Sequence, residues 1–148
     1  MTLRLLDSSV WVAYLRPRPD PRIVSAVQRV LAADEVAVAA PVVVEILSGI
    51  RDRREYVERE ADFRALPWVP IDGDAAYVAA RLGAALAATG ETGRTADLLL
   101  AGAAIAAGAE LWSLPEEHFE QIRRLVRRSR IALPGPFHLV TLLPRAPR

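Results

Sequence analysis

The sequence predicts an α/β fold, a central, mainly parallel sheet covered by helices on both faces. Short apolar runs at Leu3 to Leu6, Val36 to Ala40, Trp68 to Ile71, Leu111 to Leu114 and Leu139 to Leu143 read as buried strands. The segments between them carry helical spacing, and strands alternating with helices imply a parallel sheet of about five strands in three α/β/α layers. A third observation concerns function. Asp7 in LRLLDSSVW, Glu45 in PVVVEILSG and Asp97 in GRTADLLLAGAAIAAG are each carboxylates beside apolar runs, where an unpaired charge is costly to bury.

In chain order, the first strand stops at Asp7, and Ser8 and Ser9 offer an N-cap for a short helix with Trp11, Val12 and Leu15. Pro17 and Pro19 break that helix, and Pro21 fits the first position of the next, whose Ile23, Val24, Val27, Val30 and Leu31 share a face. After the second strand, Pro41 opens a helix containing Val42, Val43, Glu45, Ile46 and Leu47. Residues 51–64, dense in charge, read as an exposed helix. Asp72 or Asp74 caps a helix with Tyr77, Val78, Leu82, Ala85 and Leu86, which Gly90 can end. Thr95 is the expected cap of an Ala-rich helix over 96–107 that is apolar nearly all round and so belongs inside. Pro115 and two glutamates start the last helix, with Phe119, Ile122, Leu125 and Val126 inward and arginines outward.

The 148 residues, 52% hydrophobic and 25% charged, suit one domain over 1–148. The absence of Cys excludes disulfides and thiolate chemistry, and two His make a zinc site of the usual kind improbable. Any metal here would be held by oxygen, which points to Mg²⁺ or Mn²⁺. The longest apolar run, Leu98 to Ala109, is short of the ~20 residues a bilayer needs, and Arg4 and Asp7 leave no room for a signal peptide. A cytoplasmic protein is expected. All 19 basic residues are Arg, and after Glu120 no acid occurs while Arg123, Arg124, Arg127, Arg128, Arg130, Arg145 and Arg148 follow. That end is able to attract phosphate or an acidic partner, although a solvated helix face plus a tail is preferred.

Ligands of parallel sheets bind outside the carboxyl ends of the strands. Asp7 ends the first strand, Glu116 and Glu117 follow the fourth, and Glu45 and Asp97 are expected in first turns of helices, so all five can face one rim. Each acid alone also fits a plain structural role: Asp7 as a turn or cap, Asp97 and Glu45 as partners of helix dipoles. Jointly they favour one divalent-cation site able to activate water and stabilise charge on a phosphate.

The stretches LLDSSVWVAYL, PVVVEILSGI and GRTADLLLAGAAIAAGAELWSLPEEHFEQI, with the spacing between them, resemble the PIN domain and in particular VapC-type ribonuclease toxins of bacterial toxin–antitoxin pairs. The resemblance runs from about Leu3 to Ile122. It implies a Mg²⁺- or Mn²⁺-dependent endoribonuclease leaving 5′-phosphate and 3′-hydroxyl ends, in which Asp7, Glu45 and Asp97 match the three core metal-binding acids. Ser8 and Ser9 qualify as supports for Asp7. The family often carries a fourth acid in a Thr-x-Asp-x-x-Phe-like context. Here Ser113 replaces the Thr and Pro115 stands at the acid position, so Glu116 as a metal ligand or Glu117 as a catalytic group takes over. Arg94 is open between RNA phosphate, the acid cluster and solvent. His118 reads as a partly buried helix residue in preference to a catalytic base.

The resemblance further implies a VapB-like antitoxin, for which the 51–64 helix with Leu47 and Ile50 is candidate docking surface, and a homodimer using the helix around Val78 to Leu86. A signalling receiver domain shares the acidic pocket but requires a Lys, which is absent. The remaining alternative is a weak or inactive PIN-like domain that binds RNA or protein.

Overall fold

The structure is a computed structural model that describes residues 1–144; Arg145 and Arg148 of the basic end lie outside the described residues. Its strands are β1 (Arg4–Leu6), β2 (Val36–Ala37), β3 (Glu110–Ser113) and β4 (His138–Thr141). The helices are α1 (Ser8–Tyr14), α2 (Pro21–Ala32), α3 (Ala40–Ser48), α4 (Arg53–Arg64), α5 (Gly73–Ala88), α6 (Thr95–Ala107) and α7 (Glu117–Arg128). The sheet order is β2-β1-β3-β4, with every pair parallel.

Right-handed crossovers put the β1–β2 connection on one face and the later connections on the other. Contacts agree for most helices: α1 packs with α2, and α5, α6 and α7 pack among themselves, whereas α3, which opens the β2–β3 connection, packs with α1. The result is the expected α/β/α arrangement, with a fully buried centre that includes Leu5, Leu6, Leu111 and Phe119. β1 pairs with β2 on one side and β3 on the other, so chain direction across the sheet reverses at β1. A crevice opens at the carboxyl ends of strands where such a reversal occurs.

The sheet has four strands rather than about five. The Trp68 to Ile71 run makes only an isolated bridge, Val38 with Trp68. Pro67 precedes it and Pro70 falls within it, and proline has no backbone donor for a ladder. What remains is Val38 N donating to Pro67 O at 3.0 Å and Val69 N to Val38 O at 2.8 Å.

Helix starts also differ in detail. Asp7, not Ser8 or Ser9, is the N-cap of α1, and Arg94, not Thr95, precedes α6. Asp72 caps α5 through Ala75 N, settling the choice against Asp74. Glu45 sits in the second turn of α3 rather than the first. The interior of α6 is buried from Leu100 through Ile105, and Gly108 closes it in the left-handed conformation at φ 66°. α4 is mostly exposed, with Phe63 buried and Arg59 and Glu60 half-buried. Among the described residues no helix is long and apolar enough to cross a membrane.

Candidate active site

Asp7 is fixed where β1 ends. Its N–H donates to Trp112 O at 2.8 Å, extending the β1–β3 ladder by one residue. Its side chain turns back to cap α1: Oδ2 accepts from Ser9 N at 3.3 Å and Ser9 Oγ at 2.8 Å. Ser9 Oγ accepts from Leu114 N at 3.1 Å, and Ser113 Oγ lies 3.4 Å from it. One serine therefore ties the first acid to the end of β3, and buried Ser113 supports it from beneath. Ser8 Oγ is buried without a protein partner.

Asp97 lies in the first turn of α6, where the positive end of the helix dipole favours a carboxylate. It is only 7% exposed. Arg94 Nε donates to Asp97 Oδ2 at 2.7 Å and Arg94 Nη2 to Glu116 Oε1 at 2.9 Å. The half-exposed guanidinium thus bridges two acids that are 19 residues apart in sequence. Glu116 is the N-cap residue of α7 at the end of the loop after β3.

A cavity of about 330 Å³ at the carboxyl edge of β1 and β3 is lined by Asp7, Ser8, Ser9, Glu45, Arg94, Asp97 and Glu116. The end of β1, α3, the start of α6 and the loop after β3 so bring four acids to one rim. Glu45 reaches it from α3 and is exposed. Glu117 does not line this cavity: its side chain is exposed and pairs with Arg124. The basic face of α7 is largely paired within the chain, Arg123 with Glu120 and Arg128 with Glu91.

Burial pushes the Asp7 carboxyl above its ordinary value; the Ser9 hydrogen bonds oppose this, and the Asp97 charge adds to it. Glu116 is also raised, first by partial burial, then by the charges of Asp7 and Asp97, with Arg94 and His118 opposing. The Arg94 guanidinium is raised by its bond to Asp97. Two carboxyls raised by burial and by neighbouring acid charge, with one arginine among the acids, suit a divalent cation, whose hard charge takes oxygen donors.

His118 was passed over by sequence reasoning as a ligand. It is half-buried in the first turn of α7, and a ring nitrogen lies within 4.8 Å of carboxylate oxygens of Asp97 and Glu116, themselves equally close. The signal was its place between Glu116 and buried Phe119 in EEHF.

The raised carboxyls have a consequence for stability. Because Asp7 and Glu116 hold protons more tightly folded than unfolded, the metal-free folded form binds more protons between the ordinary carboxylate range and the raised values. Stability from these groups is therefore lost as pH rises through that window. In chelator, Asp7→Asn removes the Asp7 share. Its melting temperature relative to wild type is expected to be higher at pH 7.5 than at pH 4; an equal difference at both pH values in thermal melts sinks this.

Comparisons with known proteins agree with the geometry. The PIN domain family model matches residues 4–125. Ribonuclease VapC11 of Mycobacterium tuberculosis is 37% identical over 112 residues, covering 72% of this chain and 82% of that protein. Ribonuclease VapC19 of the same species is 28% identical over 117 residues, covering 79% and 92%. A structure of VapBC2 from Rickettsia felis bound to a promoter DNA fragment has TM-score 0.72 at 17% identity, covering 95% of this chain and 99% of that one. DNA-bound VapBC from Salmonella typhimurium also gives TM-score 0.72, at 18% identity over 95% of this chain and 98% of that one. With the family model spanning both strands and both helix starts that build the acidic rim, the chain belongs to the PIN domain family.

Proposed function

We propose that this protein is a divalent-metal-dependent endoribonuclease, the toxin of a toxin–antitoxin pair, that hydrolyses RNA phosphodiesters to 5′-phosphate and 3′-hydroxyl ends in the cytoplasm. The observation that carries it is the convergence of Asp7, Glu45, Asp97 and Glu116 on one cavity at the sheet edge. Relatives named as VapC ribonucleases support the reaction class.

Asp7, Asp97 and Glu116 are the residues that would hold the ion, Mg²⁺ or Mn²⁺, with Glu45 on the open side. When bound, the ion supplies acidification of water and stabilisation of charge on the phosphate. The chain does the positioning. Ser9 locks the Asp7 rotamer through two hydrogen bonds, and Ser113 and Leu114 hold Ser9. Arg94 fixes the Asp97 carboxylate and keeps its exposed edge toward the cavity mouth, where it can meet an RNA phosphate.

Partners follow from the same reading. The solved neighbours include VapBC complexes, and a VapB-like antitoxin is proposed for this chain, docked near α4. Val57 of α4 is well exposed and half-buried Ile50 adjoins that helix, whereas Leu47 is buried and belongs to the core. A homodimer would use the outer face of α5, which presents Tyr77 and Arg81; Val78, Leu82 and Leu86 face inward.

The test is cleavage of total RNA by the purified protein with Mg²⁺, with Mn²⁺ and with EDTA. Discrete cuts that need metal, carry 5′-phosphates and weaken as salt rises are expected. Metal binding with no cleavage of any RNA would favour the binding-module reading, to which the Arg94 bridge across two acids lends support.

A further inference from the structure

Around the turn from β3 into α7, exposure alternates. Glu116 is half-buried toward the acidic cavity, Glu117 points out to Arg124, and His118 is again half-buried. Phe119, Ile122 and Leu125 sink into the core and fix the rotation of α7. With that rotation set, an imidazole nitrogen, an Asp97 oxygen and a Glu116 oxygen lie within 4.8 Å of one another. Ligands of one ion, each about 2.0–2.2 Å from it, stand at most about 4.4 Å apart. The observed spread is within a small side-chain adjustment of a common coordination sphere.

The same trio carries a chemical choice. Mg²⁺ prefers oxygen and keeps its waters, whereas imidazole suits transition ions, and Mn²⁺ accepts both donor types. The fourth acid is therefore not the whole of what the β3–α7 turn offers. Arg94 occupies Oδ2 of Asp97 and Oε1 of Glu116, which leaves one oxygen on each carboxylate with no bond to it.

We propose that His118 supplies a nitrogen ligand beside Asp97 and Glu116, making the centre a mixed nitrogen and oxygen site that selects Mn²⁺ over Mg²⁺. This rests on the metal-dependent reading above but not on any RNA being cut.

The experiment is Mn²⁺ binding to the purified full-length protein without RNA. It is read by pulsed electron paramagnetic resonance for ¹⁴N coupling and by titration calorimetry for affinity. The wild type is expected to show ¹⁴N coupling of the imidazole kind. His118→Gln is expected to lose it and to bind Mn²⁺ about tenfold more weakly, with Mg²⁺ affinity nearly unchanged. His138→Gln, which alters the other histidine, keeps both. Mn²⁺ bound to the wild type without ¹⁴N coupling, or bound equally by His118→Gln, overturns the proposal. Asp97→Asn separates the two readings. If it loses both ions while His118→Gln loses neither, only the histidine assignment fails; if it binds both ions as the wild type does, the metal site itself is misplaced.

Discussion

Asp97→Asn is expected to lower RNA cleavage by about 10³-fold or more, equivalent to ~4 kcal/mol of transition-state stabilisation. Asn keeps the shape of the side chain, and its amide oxygen can still accept from Arg94 Nε, so the start of α6 keeps its geometry. What disappears is the negative charge nearest the centre of the acid group: Asp97 acts electrostatically on both Asp7 and Glu116. The measurement is the rate on a single RNA carrying one mapped cut, with circular dichroism melts confirming the fold. Glu117→Gln is the contrast. Its carboxylate sits against Arg124 outside the cavity, so a change within about twofold is expected. Comparable losses from both variants would put the reacting phosphate over the β3–α7 turn and refute the cavity as the site.

That contrast also shows what the sequence could and could not convey. Asp7 and Asp97 were legible because each interrupts an apolar run at a junction, and a buried carboxylate needs a reason. The choice between Glu116 and Glu117 was not legible. It depends on where α7 begins, and a one-residue change there turns a side chain from cavity to solvent. Glu45 was found by its apolar setting, yet Val44 beside it is exposed too, so its helix presents that edge to solvent rather than burying it. The Trp68 to Ile71 run looked like a strand by composition, and only the missing donors of Pro67 and Pro70 explain why it stops at one bridge. His118 was read as a partly buried helix residue, which it is; its closeness to Asp97 and Glu116 was not legible because those two come from another helix start and from the preceding loop.

Gly102→Ala is expected to cost a net ~2 kcal/mol of stability, lowering the melting temperature by about 4–8 °C. The Ala-rich face of α6 lets it lie close against α5. A Cβ at Gly102 would stand 2.6 Å from Ala75 O, 2.8 Å from Ala79 N and 3.1 Å from Ala79 Cβ. Two of these are backbone atoms of a packed helix and cannot rotate away, so the helices must separate. Helix propensity runs the other way, favouring Ala over Gly by ~1 kcal/mol, and the steric term has to exceed it. Gly73→Ala, where an added Cβ meets nothing within 4 Å, provides the control and should hold or gain stability. The functional consequence follows from connectivity. α6 carries Asp97 at its start, and Asp7 is tied to β3 instead, so pushing α6 off α5 changes the spacing between the two buried acids. Gly102→Ala measured well below its melting temperature should therefore lose divalent-ion affinity as well as stability, whereas Gly73→Ala should lose neither. A Gly102→Ala protein as stable as wild type, with unchanged ion affinity, would show that the α5–α6 contact can yield and that it does not set the geometry of the acidic rim.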